Sequence, residues 1–160
     1  MSSTVPPSSP GIRFPPPLLF LGGILLGWLI DRRWHALPLS AGHAPPVAAL
    51  GGLLVGLGVV LALWGVATFR GAKTAIVPFH PASQLVTSGP YRFTRNPMYT
   101  GMTLVHLGAS ALLNSAWPLI LLPVALLVVR LRVMAREEAY LAGAFGAEYD
   151  AYKARVRRWL

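Results

Sequence analysis

Two short clusters hold most of the side chains in this sequence that could do chemistry. The first is Gly89-Pro90-Tyr91-Arg92-Phe93-Thr94-Arg95-Asn96-Pro97-Met98-Tyr99-Thr100-Gly101, where turn formers, aromatics, two arginines and an amide crowd together. The second is Glu137-Glu138, an adjacent pair in a chain with only five acidic residues, next to Arg130, Arg132 and Arg136. A carboxylate beside a basic, aromatic loop makes a pocket able to hold a zwitterion. On a regular helix Arg130, Met134, Glu137 and Leu141 share one stripe, with Glu138 about 100° round from Glu137. The plainer alternative is that both glutamates offset arginines on a solvated helix, while the loop arginines hold lipid phosphates. Residue types alone leave both readings open.

Other chemistries lack material. The absence of cysteine excludes disulfides, thiolate metal sites and a cysteine nucleophile. The histidines, His35, His43, His80 and His106, show no i, i+4 pairing, so no metal site is expected.

The elements that must position the two clusters are apolar. Of 160 residues, 54% are hydrophobic and 12% charged, with a mean hydropathy of +0.56. A soluble domain carries about 25% charged residues, so the composition implies an all-α integral membrane protein. The net charge of +9 then fits cytoplasmic flanks facing anionic headgroups rather than nucleic acid.

Residues 1–17 are rich in Ser and Pro and read as a disordered tail. A single membrane-embedded domain follows over 18–160. A first span is expected at about 18–34, with Trp28 and Trp34 as interfacial anchors. A signal peptide is the weaker reading, because the basic n-region is thin and Asp31-Arg32-Arg33 follows the apolar run directly. A second span at about 46–69 carries Gly51, Gly52, Gly56, Gly58 and Gly65, small residues that either admit a neighbouring helix or are simply tolerated. The apolar run 98–129 would make a helix of about 48 Å, too long for one crossing. Asn114-Ser115-Ala116-Trp117-Pro118 supplies the turn of a hairpin with spans at about 98–113 and 117–134. Beyond it, Phe145, Tyr149, Tyr152, Val156 and Trp159 recur at helical steps opposite Lys153, Arg155, Arg157 and Arg158. This predicts a basic amphipathic helix at about 144–158.

Four spans with both termini cytoplasmic place twelve Lys and Arg inside and only Arg32 and Arg33 outside. Both clusters then share the cytoplasmic face.

Leu85-Val86-Thr87-Ser88-Gly89-Pro90-Tyr91-Arg92, Arg95-Asn96-Pro97-Met98-Tyr99-Thr100-Gly101, Glu137-Glu138 and Phe145-Gly146-Ala147-Glu148-Tyr149 resemble the isoprenylcysteine carboxyl methyltransferase family, which is itself similar to phospholipid N-methyltransferases. The resemblance covers roughly residues 70–158. It implies an S-adenosylmethionine-dependent integral membrane methyltransferase acting on a lipidic or membrane-associated carboxylate or amine. It further implies a cofactor segment over 83–101 and cofactor contacts from Ser83, Gln84, Leu85, Val86, Tyr91, Asn96, Pro97, Met98, Tyr99 and Glu137. Two positions depart from the family pattern. Asn96 stands where the family commonly has His, and Val133 stands where the eukaryotic enzymes have a substrate-orienting arginine, which leaves Arg132 or Arg136 for that role.

Methyl transfer from a sulfonium asks the protein mainly to position two reactants in a dry site. A carboxylate acceptor needs an arginine to aim it, whereas an amine must arrive neutral and gives Glu137 or Glu138 a proton-accepting role. Two other classes compete: an NADPH-dependent membrane reductase of the sterol reductase type, and a non-enzymatic membrane scaffold.

Overall fold

The computed structural model describes residues 15–34, 36–73 and 83–159. Nearly all of the expected tail lies outside these residues, as do Arg13, His35, Pro78, His80 and Pro81. Five helices carry the described chain: α1 Pro17–Arg33, α2 Pro45–Gly71, α3 Pro97–Leu112, α4 Ala116–Val128 and α5 Ala135–Arg155. No strand occurs among the described residues. Prolines open α1, α2 and α3, where a missing N–H costs nothing and the fixed φ suits the first turn.

Among the described residues, two helices are long and apolar enough to cross a membrane: α2, and the continuous helical rod Ala116–Arg155. With 17 and 16 residues, α1 and α3 reach only about 25 Å, short of a hydrocarbon core of about 30 Å. The outer surface is apolar along both helices of the N-terminal half, with Leu21, Leu25, Leu53, Val60 and Leu63 all exposed. Hydrocarbon rather than water is the natural covering for such a surface.

Helix α2 packs along α3, and α1 along α4. The first pairing depends on glycines seven residues apart. A Cβ on Gly58 would lie 2.5 Å from the Gly101 carbonyl oxygen, and one on Gly108 would lie 2.5 Å from that of Gly51. Backbone therefore meets backbone, the close approach that small residues permit between membrane helices. Gly52 and Gly56 face open space instead, so only part of the glycine-rich stripe serves helix contact.

At the end of the bundle far from Glu137, polar side chains tie the loops together. Asn114, in a left-handed conformation at φ 50°, accepts from the Ser40 amide at 2.9 Å and donates to its carbonyl at 3.0 Å. Ser115 donates to Asp31 at 2.7 Å. His106, fully buried, hydrogen-bonds the Pro118 carbonyl at 2.9 Å and so joins α3 to α4. It is a core histidine with one ring nitrogen held by backbone, while Nδ1 is buried without a hydrogen-bond partner among the described residues.

The rod departs from regular helix twice. Val129–Met134 is π-helical, and Gly146 (φ 49°, ψ −124°) kinks α5. The π stretch widens the turn between Arg130 and Glu137, so the uniform stripe expected from sequence does not form. Val129, Val133 and Met134 point into the core with Phe20, Tyr99 and Leu122, while Arg130, Leu131 and Arg132 are exposed. Such stretches are frequent at functional sites.

Candidate functional site

Pro90 and Pro97 shape the 89–101 segment. Residues Gly89–Arg92 form a 3₁₀ turn that buries Pro90 and Tyr91, and Pro97 begins α3. Tyr91 packs edge-on against Phe69 of α2, with ring centres 5.1 Å apart. Its hydroxyl is buried beside Gly65 and has no hydrogen-bond partner among the described residues. Leaving such a group unsatisfied costs about 1–3 kcal/mol.

Tyr99, on the first turn of α3, donates to the Glu137 carboxylate at 2.9 Å. Burial pushes Glu137 up to about 7, against the lowering effect of the Tyr99 bond and with a further push from the Glu138 charge. Burial, and then the Glu137 charge, also raise the Tyr91 hydroxyl well above its ordinary range. Tyr91, Tyr99 and Glu137 thus form one polar, largely dry cluster against the α2–α3 contact. It holds a carboxylate with no ion-pair partner among the described residues.

Glu138 faces elsewhere. Arg158 grips it with two bonds, Nε to Oε1 at 2.8 Å and a terminal nitrogen to Oε2 at 2.6 Å. Arg95 lies 3.2 Å from the same carboxylate and donates to the Tyr149 hydroxyl, also at 3.2 Å. The backbone follows the side chains. The Arg95 amide donates to the Arg157 carbonyl at 2.9 Å, and the Arg158 carbonyl accepts from Thr94 and from the Asn96 side chain. Tyr152, its hydroxyl pushed up to about 12 mainly by burial, donates to the Tyr91 carbonyl at 2.8 Å. The last residues of the chain are therefore clamped onto the loop that opens α3.

The other candidate residues are scattered around this cluster and beyond it. Val86 is buried and Leu85 half-buried. Met98 packs on Gly65 beside Pro97, at the edge of the Tyr91 cluster. Ser83 and Gln84 are exposed, and the Gln84 side chain donates to the Ala72 carbonyl at the end of α2. Arg132 and Arg136 lie on the exposed surface, and Val133 is wholly buried. Asn96 turns towards the tail rather than towards Glu137. Thr94, Arg95, Glu138, Tyr149, Tyr152 and Arg158 escaped the sequence reading as a unit. The available signal was the 100° between adjacent glutamates, which gives each its own face and its own partners.

A half-buried carboxylate lacking a cation among the described residues, beside an orphaned hydroxyl, suits a ligand carrying positive charge. Among the described residues, no three His, Cys, Asp or Glu side chains gather as a metal site would require.

A family model described as phospholipid methyltransferase matches residues 47–148, well over half the chain. A cobalt-zinc-cadmium resistance protein of Cupriavidus metallidurans is 33% identical over 85% of this chain, which spans 56% of that relative's length. An uncharacterized protein of Haemophilus influenzae is 38% identical over 39% of this chain, and that match covers its whole length. A protein-S-isoprenylcysteine O-methyltransferase of Schizosaccharomyces pombe is 35% identical over 45% of this chain and 30% of its own. No solved structure matches. The chain belongs to the phospholipid methyltransferase family of integral membrane methyltransferases.

Proposed function

We propose that this protein transfers a methyl group from S-adenosylmethionine to a lipidic or membrane-associated acceptor at the cytoplasmic membrane face. The observation that carries the reading is the half-buried Glu137 carboxylate, which has a tyrosine but, among the described residues, no cation beside it. When bound, S-adenosylmethionine supplies a methyl already activated on a sulfonium, together with an ammonium group. The chain's own residues then need only to hold charge, orient and exclude water. Glu137 holds the cationic end, and Tyr99 fixes the carboxylate that does so. The unpartnered Tyr91 hydroxyl is available to a polar group of the ligand. Leu85, Val86, Pro97 and Met98 wall the site with apolar surface, and Ser83 and Gln84 border it on the α2 side.

For the acceptor, the burial of Val133 is the informative point. The arginine that would aim a carboxylate is replaced by a core side chain, and Arg132 and Arg136 project from the rod's exposed surface. An amine needs no such arginine. The geometry therefore favours a lipidic amine.

Isothermal calorimetry on the folded protein in detergent tests the donor, with S-adenosylmethionine, its demethylated product and NADPH as ligands. Saturable binding of the first two is expected. Binding of NADPH alone would replace this reading with a reductase, and binding of none would leave a scaffold. Transfer of labelled methyl into a lipid extract and a prenyl-cysteine panel then identifies the acceptor.

A further inference from the structure

The kink at Gly146 sets the second half of α5 against its first and opens a groove of about 450 Å³ on the Glu138 side of the rod. Ala135, Ala139 and Ala142 form its floor, and their small side chains are why the space exists. Arg130, Lys153 and Arg158 stand around it. The local charges do not cancel. Glu138 is met by both Arg95 and Arg158. Lys153 pairs with Asp150 at 3.0 Å, but the two side chains are 44% and 66% exposed, a pairing of little strength in water. Arg130 has no carboxylate partner among the described residues.

The groove also has an apolar approach. Ile120, Val124, Leu127 and Leu131 are all exposed and recur at steps of 4, 3 and 4, one ridge along α4. The ridge ends at Leu131, which lines the groove. A cationic recess at the end of a lipid-facing ridge matches an amphiphile with an anionic head and a hydrocarbon tail.

We propose that this groove binds an anionic phospholipid, with its phosphate between Arg130 and Lys153 and an acyl chain along the α4 ridge. Tyr91, Tyr99 and Glu137 do not line it, so the site stands whether or not the methyltransferase reading holds.

The test uses the full chain in nonionic detergent without methyl donor, counting bound dioctanoyl phosphatidylglycerol by native mass spectrometry. One saturable equivalent is expected. Arg130→Gln and Lys153→Gln should each weaken it about five- to tenfold, whereas Arg130→Lys and Arg33→Gln should leave it nearly intact. Ala139→Leu, which fills the floor without altering charge, should also weaken it. Unchanged binding in Arg130→Gln and Lys153→Gln overturns the proposal, as does equal weakening by Arg33→Gln. Retention in Ala139→Leu would place the lipid outside the groove. Equal binding of dioctanoyl phosphatidylcholine removes the anionic preference. Displacement by inorganic phosphate at matching concentration would make this a free-anion site and sink the lipid assignment.

Discussion

The Tyr99 hydroxyl donates to Glu137 at 2.9 Å, joining the first turn of α3 to the first turn of α5 across 38 residues of sequence. That bond closes the open end of the hairpin and holds a carboxylate, without a cationic partner among the described residues, at the base of the 91–99 segment.

Glu137→Gln retains an oxygen to accept from Tyr99, so the fold should survive. Losing a charged contact should weaken S-adenosylmethionine about tenfold to a hundredfold. A cationic ligand prefers the ionised carboxylate, so wild-type affinity should rise as pH increases through about 7 and level off above it. Stability has the opposite slope. Because the folded value lies above the ordinary 4.5, the folded state holds the proton more tightly than the unfolded one, and stability falls as pH climbs from 4.5 through 7. Glu137→Gln should remove that fall and melt higher than wild type at pH 8. Calorimetry and melting curves at pH 6 and pH 8 check both signs.

Tyr91→Phe deletes a buried hydroxyl that has no partner. The ligand-free protein should melt at or above the wild-type temperature, since no bond is lost and an unsatisfied group is removed. Donor affinity should fall. A lower melting temperature with unchanged affinity would show that the hydroxyl serves the fold alone.

Glu138→Gln should act differently from its neighbour. It removes the charge that Arg95 and Arg158 share, at a cost of about 1.5–3 kcal/mol. The tail should loosen, and trypsin should cut after Arg155 and Arg157 faster than in wild type. Matching digestion rates would show that the backbone bonds at Arg157 and Arg158 suffice.

The division of labour between the glutamates marks the limit of what sequence discloses. The tyrosine-rich face of α5 was legible, because a 3.6-residue period places Tyr149 and Tyr152 inward and Lys153 and Arg155 outward whatever they pack against. The apolar runs and the Asn114 turn likewise predict the α3–α4 hairpin. Glu137 was singled out, but its partner was not readable, since hydropathy carries no information about which loop a carboxylate meets. The π stretch was also hidden. Val129–Met134 has no proline or glycine to betray it, and it reflects how Val133 and Met134 pack rather than any local propensity. Arg158 reads from sequence as one more membrane-facing cation; only the return of the tail turns it onto Glu138.

Glycines offer a sharp contrast along the α2–α3 pair. Gly58→Ala and Gly108→Ala should separate α2 from α3 and destabilise strongly, because each Cβ meets a carbonyl oxygen at 2.5 Å. Gly52→Ala and Gly56→Ala enter open space and should be neutral or mildly stabilising, by up to about 1 kcal/mol each. Thermal melts of the four variants in one detergent make the comparison.

The charge asymmetry of the sequence predicts four crossings with both termini cytoplasmic. Reporter fusions after residue 42 and at the C terminus should report opposite sides of the membrane. A shared side would exclude that arrangement.

The contact between the 94–96 loop and the Arg157 and Arg158 carbonyls also bears on biogenesis. A chain is made from its N terminus, so α1 to α4 are complete while these carbonyls are still unsynthesised. Until they arrive, Thr94 and the Asn96 amide lack their acceptor, and Arg95 has only Glu138 and Tyr149 to lean on. The contacts of the 94–96 loop are thus completed only after α1 to α4 have been made. Nascent or clipped polypeptides lacking those few residues should insert normally yet remain without a finished pocket.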